Sequence, residues 1–193
     1  YLEQKNMTAV VSAPTSEIHK IESKMSWLNL RLLQHQGWEI ISQSRDQVCD
    51  KEKLKDQSIL DSEIVGSKKD LTEHGLYVNT YLAPCGLSSG QILNTVKGSY
   101  DSFMGFGVLA NIPSQQSKYN LVGRNINNDV EVEEIKKWIK DANIYKQWLI
   151  LVIPDINDNN DAYSVSNDKF KAVIDEISIS KNQIATIGQV IKY

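Results

Sequence analysis

The sequence predicts an α/β or α+β fold: a single mixed sheet of four to six strands, with helices packed mainly on one face. Three observations carry that expectation. A β-branched run ending at Pro14 is followed by apolar residues at helical spacing, and then by a second apolar run after Gly37. Near the other end, Trp148 to Ile153 is a continuous apolar run stopped by Pro154, with helical patterns on both sides. The composition, 41% hydrophobic and 23% charged over 193 residues, is that of a globular chain long enough to bury a core. A β-α-β unit is therefore expected at each end of the chain.

Residues 7–13 read as the first strand. Thr15 or Ser16 then caps a helix whose apolar face is Ile18, Ile21, Met25, Leu28 and Leu32, widened by Trp27, Leu30 and Leu33. Gly37 ends that helix, and residues 38–42 form the next strand. Residues 76–82 alternate as a half-buried strand should, and Ser88 or Ser89 caps a helix using Ile92, Val96, Tyr100 and Phe103. Residues 107–112 follow as a strand. A helix near 129–142 presents Val132, Ile135, Trp138, Ile139 and Ala142, and leads into the covered strand 148–153. A last helix, 167–178, precedes a final strand at 183–191.

Between these elements the chain is polar. Half of the 24 residues from Asp50 to Glu73 are charged, which predicts a solvated insertion with a marginal helix. Residues 113–129, rich in Ser, Gln and Asn, read as a long loop. The whole, 1–193, is expected to be a single domain carrying these two polar excursions.

The stretch Leu28 to Ser42 ends a helix in Leu-x-x-x-Gly and opens a strand with Gly37, Trp38, Glu39, Ile40 and Ile41. In this it resembles a small uncharacterised bacterial β-α-β domain family that has a Gly-Trp-Glu opening to its second strand. The resemblance covers residues 7–44 and implies topology alone; the family has no assigned function.

Chemistry-bearing residues are scattered. His19, His35 and His74 stand at no recognised ligand spacing. Asp155, Asn157, Asn159 and Asp161 place oxygens at alternate positions, as the start of a calcium loop does. The sixth position, however, is Asn160 instead of glycine, and the twelfth is Ser166 instead of glutamate, so an Asx-rich turn is the competing reading. Gly105-Phe106-Gly107-Val108-Leu109-Ala110 matches a dinucleotide-binding string, but the residues before it read as helical and Pro113 blocks a helix after it. No cofactor is predicted. The two cysteines, Cys49 and Cys85, are either reactive thiols or disulfide partners. Cys85 precedes a helix start, which would activate a thiol, yet His74 lies about 30 Å away along an extended strand.

A net charge of −3 without clustered Lys and Arg excludes a general nucleic-acid binder. No apolar run approaches the roughly 20 residues of a membrane span. The first residue is Tyr1 instead of Met, so a removed N-terminal signal or anchor is compatible with the sequence. With no convergent acid, base, metal or phosphate set, the expectation is a non-catalytic accessory or assembly module that binds another protein through 50–73 and 113–129. The alternative is an enzyme or small-molecule sensor with its site at strand ends around Cys85 and the 155–161 loop.

Overall fold

The computed structural model describes residues 1–18, 25–114, 117–159, 161, 163–180 and 182–191. Its strands are β1 (Val10–Ala13), β2 (Glu39–Ser42), β3 (Thr80–Leu82), β4 (Ser102–Phe106), β5 (Leu121–Asn125) and β6 (Ile150–Val152). Their hydrogen-bonded order is β1-β2-β3-β4-β5-β6 in one six-stranded sheet. The β1–β2, β2–β3, β3–β4 and β5–β6 pairings are all parallel. Parallel neighbours need crossovers. Helix α1 (Trp27–His35) lies between β1 and β2, α2 (Gln57–Leu60) and α3 (Ser67–Glu73) between β2 and β3, α4 (Gly90–Lys97) between β3 and β4, and α5 (Val132–Ile144) between β5 and β6. Helices α6 (Asn167–Ile179) and α7 (Ile187–Ile191) follow the last strand. The α/β class and a sheet at the upper end of the expected strand count are thus present.

Read from its length as one domain, the chain divides into two compact units. One comprises Thr8–Gly105, Ser117–Leu121 and Ala185–Tyr193; the other comprises Tyr1–Met7, Phe106–Gln116 and Val122–Ile184.

In the first unit the helical phase around α1 differs from the sequence reading. Thr15–Glu17 is a single 3-10 turn, and the helix starts at Ser26, whose side chain accepts from the Asn29 amide while Asn29 returns a bond to the Ser26 amide. Starting there turns Leu30 inward, with Trp27 and Leu33 packed beside it, and leaves Leu28 and Leu32 55% and 52% exposed. Ile21 lies outside the described residues. Gly37 ends the helix at φ +91, a left-handed conformation that favours glycine.

The charged 50–73 stretch is not a solvated excursion. It forms α2, a π-helical turn at Asp61–Gly66, and α3, and it buries Leu60, Ile64 and Leu71 in the same core as Ile40, Val78 and Val96. Positions 60, 64, 67 and 71 fall on one helical face, so a few apolar residues suffice while the charges line the outer one.

Strand β3 is buried throughout, not half-buried, because it is an interior strand of a parallel sheet. Ser89 caps α4 as expected, accepting from the Ile92 amide at 3.2 Å. Tyr100 and Phe103 lie past the end of that helix, and the strand expected at 107–112 sits earlier, as β4. The expected last strand is α7 instead: Thr186 and Gln189 bond each other's amides, and Gly188 donates to Glu39 Oε2 at 2.9 Å. Burial pushes the Glu39 carboxyl above its ordinary range, against the opposing pull of that Gly188 amide.

The second unit packs α5 and α6 around Ile126, Ile135, Ile139, Val165 and Val173. Strand β5 occupies part of what read as a polar loop. Alternation explains it: Leu121 and Gly123 are buried, while Arg124 reaches over the Trp138 ring, 3.9 Å from its centroid. Strand β6, expected to be covered on both faces, is last in the order and only half-buried.

Candidate functional site

In open parallel α/β sheets, ligands meet the crevice outside the carboxyl ends of the strands. At that edge of the first unit, the segments leaving β1 and β2 are joined by backbone bonds from Thr15 to the Ser44 carbonyl, 3.2 Å, and from Ser16 to the Arg45 carbonyl, 3.0 Å. The π-helical turn and α3 supply the partners of these segments.

Arg45 grips Asp70 with two nitrogens, Nε to Oδ2 at 2.8 Å and Nη2 to Oδ1 at 2.6 Å. The Thr15 hydroxyl donates to the same Oδ2 at 2.7 Å. The Arg45 guanidinium beside Asp70 holds its carboxyl below the ordinary range, and Asp70 in turn raises Arg45. Because the Asp70 value is depressed, the pair contributes stability above the ordinary carboxylate range and loses it as the pH falls through the depressed value. Gly66 gives the guanidinium room, since a β-carbon there would stand 2.9 Å from Arg45 Cζ.

Deeper in, Glu63 is 3% exposed and ionisable. It accepts from the Ser44 hydroxyl, from the Asp46 amide at 3.1 Å and from the Val48 amide at 3.5 Å. Those donors converge because Ser44 and Gln47 adopt left-handed φ values of 73 and 55. Behind them Ser42 donates to Ser67 Oγ at 2.9 Å, and Ser67 pairs with the Tyr100 hydroxyl at 2.9 Å. Burial pushes the Tyr100 hydroxyl up to about 12, and Tyr81 higher still, so both stay protonated. A cavity of 10 Å³ lies beside Ser44, Val48, Tyr81 and Pro84; that is room for about one water.

Cys49 and Cys85 form a disulfide, with Cα atoms 5.8 Å apart across 36 residues of sequence. Of the two roles open in the sequence, reactive thiol and disulfide partner, the structure thus holds the second. His74 stacks on Trp27 at 3.8 Å, and its Nδ1 meets the Asp70 carbonyl at 2.7 Å.

Asp155, Asn157, Asn159 and Asp161 belong to the second unit. Asn157 Nδ2 donates to Asp155 Oδ2 at 2.8 Å and to Asp161 Oδ2 at 3.2 Å, and the Asn159 amide donates to Asn157 Oδ1 at 2.9 Å. These oxygens serve the loop's own donors, as in Asx turns. Among the described residues, no group of three or more His, Cys, Asp or Glu is arranged to hold a metal ion. The Gly105–Ala110 string begins within β4, contrary to the helical reading of the residues before it, and the next described helix opens only at Val132, too far on to present free amides to a phosphate there.

Sequence reasoning passed over Thr15, Arg45, Glu63 and Asp70. One signal was available: Glu63, Ser67 and Asp70 recur at intervals of four and three, a polar stripe on a helix that also carries Leu60, Ile64 and Leu71.

No family model and no curated protein matches the chain. Solved structures do. The Xyl-CE4 domain of a multidomain xylanase from the hindgut metagenome of Trinervitermes trinervoides superposes with a TM-score of 0.64 at 11% identity, over 99% of this chain and 80% of that one. A polysaccharide deacetylase from Bacillus cereus gives 0.58 at 15% identity, over 67% of this chain and 41% of its own. A de-N-acetylase from Aggregatibacter actinomycetemcomitans gives 0.53 at 15%, over 71% and 67%. The chain spans about two fifths of the length of the Bacillus structure. These neighbours, two of them named as a deacetylase and a de-N-acetylase, overturn the expectation of a non-catalytic protein-binding module. At such identities the likeness is one of fold, and the fold this chain shares is that of solved polysaccharide deacetylases.

Proposed function

We propose that the protein is an enzyme that removes an acyl group from a polysaccharide, working at the carboxyl edge of β1–β3. The observation carrying this reading is the Arg45–Asp70–Thr15 arrangement at strand ends, in a fold shared with structures named as deacetylases. Hydrolysis of an acetamide adds water to the carbonyl carbon, breaks the C–N bond, and releases acetate and a protonated amine. Negative charge builds on the carbonyl oxygen on the way. Arg45 supplies positive charge at that edge, and among the described residues its Nη1 meets only Ser62 Oγ, at a long 3.4 Å, which leaves it available to an oxyanion. Asp70, with its depressed pKa, is a poor base; its part is to aim Arg45 and the Thr15 hydroxyl.

Acetate release from acetylated xylan and from N-acetylglucosamine oligomers tests the reading. The wild-type protein is expected to release acetate from at least one of them. Asp70→Asn should lower kcat/KM by about tenfold or more, while stability falls by only about 1 kcal/mol because the pair is partly solvated. Absence of acetate release from both substrates at saturating concentration contradicts the reading, as does an Asp70→Asn variant with unchanged kcat/KM.

A further inference from the structure

We propose that the Cys49–Cys85 disulfide is a redox latch on the loop that follows Arg45: reduction by a dithiol frees residues 46–49 while the sheet stays folded. The near end of the loop is fixed independently of the disulfide, by Thr15 and Ser16 on the Ser44 and Arg45 carbonyls and by Asp70 on Arg45; the far end is held from two sides. Inside, Glu63 takes the Ser44 hydroxyl and the Asp46 and Val48 amides. Outside, the disulfide fixes Cys49 to the turn that follows β3. Both cysteines are exposed, so a reductant reaches the sulfurs without unfolding the core.

Backbone conformation shows why the outer tie matters. Of the five non-glycine residues with positive φ among the described residues, three lie in this assembly: Ser44, Gln47 and Cys85. Gly86, beside Cys85, is also left-handed, at φ 65. A β-carbon disfavours that region, so such residues persist only where their surroundings hold them. With the cross-link open, the turn loses the restraint on Cys85. Residues 46–49 then keep the Glu63 contacts to the Asp46 and Val48 amides, the second already long at 3.5 Å.

The chemistry balances with a dithiol as reductant. One thiolate attacks a cysteine sulfur and the S–S bond breaks, releasing the other cysteine as thiolate. The second thiol of the reagent then displaces the first cysteine, so the reagent leaves as a cyclic disulfide and both cysteines end as thiols after taking up the two protons.

Amide hydrogen exchange of the intact protein, with and without dithiothreitol, reads the latch. Reduction is expected to speed exchange at residues 46–49 by about tenfold or more and to leave Val11, Ile40 and Tyr81 in the sheet unchanged. A Cys49→Ser, Cys85→Ser double variant should show the same pattern without reductant. Unchanged exchange at 46–49, or equal acceleration throughout the unit, would overturn the proposal. The readout involves no substrate, so a protein that fails to release acetate leaves the latch standing, and a failed latch leaves the deacylase reading to its own assay.

Discussion

Leu60→Ala is expected to lower the unfolding free energy by about 3 kcal/mol in chemical denaturation. Leu60 is fully buried in the core of the first unit and borders the 10 Å³ cavity beside Ser44, so truncation enlarges a void that its neighbours already fail to fill. The magnitude decides between two pictures of residues 50–73. On a solvated arm the same substitution would cost within about 0.5 kcal/mol. Deleting the segment should likewise abolish the cooperative transition, because Ile64 and Leu71 leave with it.

Glu63→Ala carries the second large effect, a loss of about 3 kcal/mol. Removing the side chain takes the acceptor from the partly buried Asp46 and Val48 amide bonds and leaves the buried Ser44 hydroxyl only a 3.4 Å contact to the residue 63 carbonyl. Glu63→Gln keeps one oxygen but brings an NH₂ group among donors, so an intermediate cost is expected. Glu52→Ala, on the exposed side of the same segment, should change stability by less than about 0.5 kcal/mol. Denaturation midpoints of the three variants check the order; equal midpoints for Glu63→Ala and Glu52→Ala would show that the buried carboxylate holds nothing.

The sequence announced those parts of the fold in which one local signal suffices. Gly37 followed by an apolar run located β2, and Ser89 before Ile92 located the start of α4. It misled where two signals overlapped. Thr15 and Ser26 are both competent caps, and only tertiary packing selects Ser26, which rotates the apolar face from Leu28 and Leu32 to Leu30. Residues 187–191 are β-branched enough to read as a strand, yet Thr186 and the half-buried Glu39 carboxyl satisfy a helical turn there.

The candidate site was less legible still, for a physical reason. Arg45, Glu63 and Asp70 are ordinary surface residues by type, and nothing in their spacing shows that the strand-end segment folds back onto a helix. Glu63 in particular sits in a π-helical turn, and its four-and-three spacing to Ser67 and Asp70 marks a polar stripe without showing that Glu63 itself is buried. High charge density hid a core-forming segment because three apolar positions on one face were enough to bury it.

The most direct test is a backbone-amide NMR titration of the oxidised protein with an N-acetylglucosamine oligomer and, in parallel, with an acetylated xylan oligomer. If the carboxyl edge is the working surface, saturable shifts appear at Thr15, Ser44, Arg45 and Asp70, while α5 and α6 stay silent. Shifts confined to other elements, or none at saturating sugar, would contradict the account.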